Sequence, residues 1–263
     1  MSVGRYLRVL FIFWRTSLLS ELDYRLNFLL ATLSSLGHAA GNYFGLSLFY
    51  TGKGSLGGWP FHQALLVMGV FTTLSGLNRV LLTPNLARIV EHTRTGTLDF
   101  VLLKPMDSQF WLSTRRISPW GVPDVLFGLG MIGYAALRLG LPLSSLAWAV
   151  VPLTGSCLIQ YSLWFTLASI SIWYVKVHNV TEVFNGLLAA GRYPIDALPP
   201  GVYRFVFTFI IPVALLTTVP AQVALNQVRV SSLVLAGVFA LGAFLFSRAF
   251  WKFALRYYTS ASS

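Results

Sequence analysis

The chain has 263 residues, of which 56% are hydrophobic and 10% are charged, with a net charge of +11. Soluble domains carry about a quarter charged residues, so this composition excludes an ordinary soluble enzyme and a disordered chain. The single cysteine, Cys157, excludes an intrachain disulfide framework. Because the basic residues punctuate apolar runs, the positive charge indicates a multi-pass membrane protein rather than a nucleic-acid binder.

Residues 1–25 predict an amphipathic helix that lies in the inner membrane interface. Val9–Trp14 is mostly apolar and is flanked by Arg5, Arg8 and Arg15, whose charged ends can reach the lipid headgroups. A cleaved signal peptide is not expected, because charged residues follow the apolar stretch and no small-x-small site ends it. The alternative is a frayed terminus.

The next feature is a series of apolar windows of about 20 residues, the length that crosses a bilayer core of about 30 Å. A short, polar window, Val177–Ala190, is interpreted as the fifth span. Phe205–Leu225 is interrupted by Pro212 and Pro220 and is interpreted as a re-entrant helix pair within an outer region, residues 192–229. The clear windows are Leu26–Tyr50, Phe61–Leu82, Trp120–Leu139, Ser144–Ile172 and Val230–Phe250.

The distribution of basic residues decides between six spans and seven. If Phe205–Leu225 crossed the membrane fully, there would be seven spans and the C-terminus would lie outside. With six spans and an inner N-terminus, most of the 19 Lys and Arg residues lie inside. The positive-inside rule therefore favours six spans in one all-α membrane domain, residues 1–263, with both termini in the cytoplasm. The basic residues left outside are Lys53, Arg138, Arg192, Arg204 and Arg229.

Motifs for chemistry are missing from the sequence. It has no GxxxxGK[ST] phosphate loop, no HExxH and no GxSxG, and its four His lie in four different segments. We therefore expect no catalytic residue, no metal site and no cofactor bound by this chain. ATP hydrolysis by the chain itself is not expected.

The fifth predicted span carries three polar residues on one helical face. His178 and Glu182 are four residues apart, and Asn185 follows Glu182 at a spacing of three. Polar groups at membrane depth are costly, so they are candidates for a translocation path or a subunit contact. The alternative, which we favour, is that they cap a short helix near the inner surface, with Glu182 paired to Lys176.

The inner loop, residues 85–116, predicts a short helix with an apolar stripe at helical spacing. Such a stripe on the cytosolic side requires a groove on a partner protein, and the alternative is a helix that rests on the membrane surface. The stripe comprises Ile89, Leu98, Val101 and Leu102.

The middle of this loop contains a helix-start pattern. Gly96 interrupts the stripe, Thr97 is expected to cap the following turn, and Asp99 suits the positive end of that helix.

Two stretches resemble a known family. Glu91–Pro105 resembles the G-T-L-D-x-x-L-x-K-P stretch of ABC-2-type permeases, the membrane subunits of a class of ABC exporters. Gly191-Arg192-Tyr193-Pro194, with Leu198-Pro199 and Ile211-Pro212 after it, resembles the outer G-R-Y-P stretch that precedes the last span of that family. The similarity covers most of the chain, in the same order of elements.

The resemblance implies a permease that performs no chemistry and is driven by separate ABC ATP-binding subunits, which hold ATP and Mg. It also implies a bacterial cytoplasmic (inner) membrane, contact with membrane lipids and no nucleic acid. Two copies, or this chain and a similar one, would form a dimer with the path between them, lined by the second and fifth spans. The alternative is a secondary transporter or channel without an ATPase, and a docking scaffold is a further rival.

The resemblance also assigns residues to two roles. Coupling to the ATPase would involve a coupling helix within Glu91–Pro105, and short outer helices would form a gate. The coupling residues are Glu91, Arg94, Gly96, Thr97, Leu98, Asp99 and Lys104, and the outer-gate residues are Arg192, Tyr193, Pro194 and Pro212.

Overall fold

The computed structural model describes residues 3–21, 25–51, 55–174, 185–186, 188–197 and 201–258. Most of these residues are helical, and the β pairing among them is one isolated bridge between Leu56 and Trp59. The predicted all-α fold is therefore confirmed.

The helices are long at membrane depth and short at one end. We call the end that holds α4, α5 and α6 the basic end, and the end that holds residues 55–60 and the short turn Ile195–Ala197 the far end. The elements are α1 Val3–Glu21, α2 Arg25–Phe49, α3 Phe61–Leu77, a π-helical turn Asn78–Leu82, α4 Thr83–Thr95, α5 Leu98–Leu102, α6 Ser108–Thr114, α7 Val122–Leu139, α8 Leu143–Ser169, the short turn Ala189–Arg192, α9 Val202–Ile210, α10 Ala214–Ala224 and α11 Val230–Leu255.

Within the described ranges, four helical stretches are long and apolar enough to cross a membrane, and they confirm the second, third, fourth and last predicted spans. The helix α2 has 25 residues but is not among the four, since Ser, Gly, His and Asn lower its hydropathy. Most of the predicted fifth span lies outside the described residues, so the count of six stays a prediction. The four stretches are Phe61–Thr95, Pro119–Leu139, Leu143–Ile172 and Val230–Leu255.

A sharp bend separates α9 from α10. The two helices make an angle of 69°, and Pro212 lies in the break between them. Proline has no N–H to donate and blocks the preceding turn, so the helix cannot continue through it. The predicted interruption at Pro212 is present, and the pair would count as one further span if it crossed the membrane.

The closest helix pair is α3 with α7, and glycines make it possible. A Cβ atom on Gly128 would lie 2.5 Å from the backbone N of Thr73, and one on Gly121 would lie 2.5 Å from the carbonyl O of Gly76. Gly69 faces the same contact, where its Cβ would lie 3.0 Å from the Gly128 carbonyl O. Small residues let helix backbones touch in this way inside membranes, where packing rather than burial from water holds helices together.

The helix α1 lies against the basic end. The Ser17 hydroxyl donates to the carbonyl O of Ile117 at 2.8 Å, and the ring of Tyr6 is 4.7 Å from that of Phe110. Its arginines, Arg5, Arg8 and Arg15, are not buried by this contact. The predicted helix is confirmed, and its position in the membrane interface stays a prediction.

Candidate functional site

The stretch from α4 to α6 forms a compact unit at the basic end, which we call the basic-end hairpin (residues 83–114). The helix α4 ends at Gly96, whose φ of 69° puts it in the left-handed region. Glycine reaches this conformation without steric cost, and it is the usual residue just after a helix C-terminus. Gly96 therefore reverses the chain so that α5 folds back beside α4.

Thr97 joins α4 to α5 in a way that its sequence position did not predict. It precedes α5, but its side chain makes no capping bond to that helix. Its hydroxyl lies 2.8 Å from Nδ1 of His92 and 2.8 Å from the hydroxyl of Thr95. The expected cap is wrong, because the hydroxyl bonds back to the end of α4. Asp99 does lie in the first turn of α5, as predicted.

Most of the apolar stripe is covered by the chain itself. Ile89, Leu98 and Val101 are buried in one cluster with Phe165 of α8 and Trp251 of α11. The prediction that this stripe awaits a partner groove is wrong for these three residues, because α8 and α11 already fill the space. Leu98 is thus a core residue of the hairpin.

A different apolar edge of the hairpin is free. Phe100 is 69% exposed and Leu103 is 80% exposed, and the neighbouring Leu102 is partly covered. These two side chains lie three residues apart in the same motif, on the side of α5 that its buried residues leave open. Sequence reasoning missed them because it followed the other stripe. Of the predicted coupling residues, Glu91, Arg94 and Lys104 are also exposed.

Trp111 of α6 holds the base of the hairpin. It is buried, and the ammonium of Lys104 lies 5.5 Å from its ring centroid. The guanidinium of Arg115 lies 5.0 Å from the same ring and 4.9 Å from the ring of Phe13 in α1. Cations over aromatic faces are attracted by the ring quadrupole. Trp111 therefore connects the loop after α5 to α1.

An ion pair ties the hairpin to α11. Asp107 caps α6 by accepting from the backbone N–H of Phe110 at 2.9 Å, and it also pairs with the guanidinium of Arg248. The hydrogen bond from Arg248 lowers the pKa of Asp107, and this effect is larger than the increase in pKa that burial causes. Gln109 extends the network by donating to the hydroxyl of Tyr161 in α8 at 3.0 Å. The hairpin is thus fixed to both helices by polar as well as apolar contacts.

A second region, which we call the central cavity, lies among the long helices. Its volume is about 470 Å³, and polar and apolar side chains from α2, α3, α7, α8 and α10 line it together. Sequence reasoning missed it, although Ser35, His38 and Asn42 recur at one-face spacing along α2. The lining residues are Ser35, His38, Ala39, Asn42, Phe71, Thr72, Leu74, Ser75, Asn78, Arg79, Thr83, Asp124, Gln160, Asn185, Leu188, Gly191, Arg192, Val213, Leu216 and Thr217.

Among the described residues, three that line this cavity are charged. Nη1 of Arg79 lies 2.7 Å from a carboxylate oxygen of Asp124, whose side chain is 9% exposed. Arg192 enters from the other side, and its guanidinium lies 5.6 Å from the ring centroid of Phe71. Its Nε atom is buried and has no hydrogen-bond partner among the described residues.

The predicted polar face of the fifth span is described only in part. His178 and Glu182 lie outside the described residues, and so does Lys176. Asn185 is described, and it lines the central cavity. Its position suits the second-and-fifth-span path that the resemblance implies.

The predicted outer-gate residues divide between two places. Tyr193 packs its ring 5.5 Å from that of Phe49 at the end of α2, and Pro194 accepts a backbone hydrogen bond from Ala197. Pro212 forms the break between α9 and α10, and Arg192 instead faces the central cavity. The role of the four residues as a gate stays a prediction.

The far end is closed by contacts between two loops. Nε1 of Trp59 donates to the Asp196 carboxylate at 3.2 Å, and Tyr50 donates to the carbonyl O of Trp59 at 2.7 Å. A Cβ atom on Gly57 would lie 2.5 Å from the carbonyl O of Asp196. These contacts hold the segment that carries Arg192 against the start of α3.

The long apolar helices, the polar cavity between them and the anchored hairpin define a multi-pass, all-α membrane protein. Residues 36–262 match the family model of the ABC-2 family transporter protein, and the chain belongs to that family. A search of curated proteins and a search of solved structures found no match. Membership makes the chain a membrane transport component of a family that in general associates with ABC ATP-binding subunits.

Proposed function

We propose that this chain is the permease subunit of an ATP-driven ABC exporter in a bacterial cytoplasmic membrane. Two copies, or this chain and a similar one, form a dimer, and separate ATP-binding subunits drive it. It has six spans, with the basic end and both termini in the cytoplasm and the far end outside. The bent pair α9–α10 enters the membrane and returns to the same side.

The free edge of the basic-end hairpin is the observation that carries this proposal. Phe100 and Leu103 are exposed three residues apart, and the charged residues Glu91, Arg94 and Lys104 of the same hairpin are exposed as well. An apolar contact with a charged rim is the usual anatomy of a site that docks into a protein groove.

The buried side of the hairpin supports a mechanical role. Leu98 and Val101 pack in the same cluster as Phe165 and Trp251, which belong to α8 and α11. Close-packed interiors transmit displacement because they are hard to compress. A movement imposed on α5 by a partner therefore acts directly on α8 and α11.

The experiment measures binding of an ABC ATP-binding subunit to the purified chain. Leu103→Ala should weaken the complex by about 1 kcal/mol, or roughly fivefold in Kd, because a central exposed side chain loses its contact. Leu143→Ala is the matched control, since Leu143 is 81% exposed but begins α8, away from the hairpin. Equal Kd values for the two variants would count against the proposal.

A transport assay separates the proposal from the alternative of a secondary transporter or channel. In vesicles that contain the permease and the ATP-binding subunit, efflux should require hydrolysable ATP. Transport by the permease alone, driven by an ion gradient, would contradict the proposal.

A further inference from the structure

We propose that the central cavity holds the anionic group of an amphiphile, with Arg192 as its counter-charge. The inference rests on the proposed function, because it names the chemical class of molecule that the permease takes. It is argued from four observations: the depth of Arg192 in the membrane, the charges of the described lining, the buried donors without a partner, and the apolar residues that line the same cavity.

The position of Arg192 is the first step. Its guanidinium is beside Phe71, which lies ten residues beyond the start of α3 at Phe61. At 1.5 Å per residue this is about 15 Å along the helix, or half the thickness of a bilayer core of about 30 Å. A cation at this depth is costly unless it meets an opposite charge or water.

The charge balance is the second step. The described charged residues that line the cavity are Arg79, Asp124 and Arg192. Arg79 and Asp124 neutralise each other across 2.7 Å, so these three groups leave one positive charge, at Arg192. The described part of the lining therefore favours an anionic ligand over a neutral or cationic ligand of the same shape.

The hydrogen-bonding groups are the third step. Two lining atoms are buried without a hydrogen-bond partner among the described residues, Nε of Arg192 and the hydroxyl of Ser35. Buried polar atoms of this kind are rare, because each one costs the free energy of its lost hydration. An oxyanion bound beside either donor would accept a hydrogen bond from it and remove its share of this cost.

The apolar residues of the lining indicate the chemistry of the part of the ligand beyond its anionic group. Phe71, Leu74, Leu188 and Leu216 face the same cavity. Its volume of about 470 Å³ is within the range of pockets that enclose small organic molecules. A carboxylate or phosphate group joined to an apolar body fits this combination, and a small inorganic anion would leave the apolar walls uncovered.

Direct binding tests this inference on the full chain in phosphatidylcholine nanodiscs. The probe is radiolabelled dodecyl phosphate, and partition into empty nanodiscs is subtracted. We expect saturable binding that dodecyltrimethylammonium, a cation of the same chain length, does not displace. Binding that does not saturate, or displacement by the cation at the same concentration, would overturn the inference.

Variants identify the residues that bind. Arg192→Gln should weaken binding at least tenfold, Arg192→Lys should weaken it less, and Ser35→Ala should weaken it about threefold, the value of one hydrogen bond. Arg138→Gln is the matched control, since Arg138 lies over the Tyr134 ring at the end of α7. Unchanged affinity in Arg192→Gln, with an unchanged melting temperature, would also overturn the inference.

Two further arms identify the source of the anion. In the first arm, phosphatidylglycerol replaces phosphatidylcholine in the nanodiscs. If binding of dodecyl phosphate is then suppressed, a lipid headgroup occupies the site. Competition by inorganic phosphate at the same concentration as dodecyl phosphate would show that the apolar body is not recognised and would overturn the amphiphile assignment. Co-purification of the ATP-binding subunit, measured on the same preparations, tests the proposed function separately, because Arg192→Gln leaves the hairpin intact.

Discussion

The two faces of α3 have different surroundings. One face, through Gly69, Thr73 and Gly76, touches the backbone of α7, with no room for a further carbon atom at its glycines. The opposite face, through Phe71 and Ser75, opens onto a cavity of about 470 Å³. The helix is therefore a fixed partner on one side and a wall of an open space on the other.

This difference indicates which parts can move. The backbones of α3 and α7 are in contact with no free space between them, so the two helices should move as one rigid unit. Apart from α3 and α7, the described walls of the central cavity come from α2, α8, α10 and the segment that carries Arg192, whose side chain meets that of Phe71 in α3. Opening and closing of the cavity should therefore displace these elements relative to the α3–α7 pair.

The most damaging change to this arrangement is a methyl group in the packed face. Gly128→Ala should lower the free energy of unfolding by about 1–3 kcal/mol, because the new Cβ would meet the backbone of Thr73 at 2.5 Å. The measurement is unfolding in mixed micelles. Gly130→Ala on the same helix is the control, since nothing lies within 4 Å of its Cβ position. Equal losses in the two variants would show that α3 and α7 are not in backbone contact.

A second test moves from the rigid pair to the hairpin, which packs against α8, one wall of the cavity, and against α11. Gly96→Val forces a branched side chain into the left-handed region, at a cost of about 1–2 kcal/mol. We expect normal insertion but loss of substrate-stimulated ATPase activity in the reconstituted complex, because the hairpin reorients. Gly242→Val, at an open position in α11, should leave this activity unchanged. Stimulated ATPase activity that survives in Gly96→Val would contradict the coupling role.

The third test compares the two faces of α3 directly through the chemical reactivity of introduced cysteines. In a Cys157→Ala background, Ser75→Cys should react with a water-soluble maleimide roughly tenfold faster than Thr73→Cys. Ser75 lines the cavity, whereas Thr73 is buried against α7. Similar labelling rates at the two positions would show that the two faces of α3 do not differ in their access to water.

The smallest expected effect concerns the ion pair between Asp107 and Arg248, which anchors the hairpin to α11 and does not involve α3 or α7. Asp107 has a pKa below its ordinary value of 3.8 because Arg248 bonds to its charged form. Its contribution to stability is therefore complete above the unfolded pKa and is lost as pH falls through the lower folded pKa. Asp107→Asn should remove this acid dependence below about pH 4 and leave the slope between pH 5 and 7 unchanged. A steeper slope near pH 6 would point to another group.

Much of the fold could be predicted from the sequence because the membrane imposes a simple rule on helix length and composition. Phe61–Leu82, Ser144–Ile172 and the break at Pro212 are visible as apolar runs and as a proline within such a run. The interruption at Gly96 was also visible, but the reversal of the chain that its left-handed backbone allows was not predicted.

The identity of the contacts could not be predicted in the same way. Ile89, Leu98 and Val101 form the same apolar pattern whether another protein or the same chain covers them, and only packing shows that α8 and α11 do so. Arg192 belongs to a motif that suggested an outer position, yet its side chain turns toward Phe71. The direction of a side chain depends on the residues that pack around it, and the periodicity of the sequence does not specify which residues these are.

The π-helical turn at Asn78–Leu82 has a consequence for how the two ends of the molecule are aligned. A wide turn contains one residue more than an α-helical turn, so it sets the angle at which α4 leaves α3. Because the wide turn absorbs this extra residue locally, deleting one residue there should restore regular α-helical winding with little change in the orientation of the hairpin relative to the cavity wall. The two ends of the molecule would then stay linked by one continuous helical stretch, Phe61–Thr95.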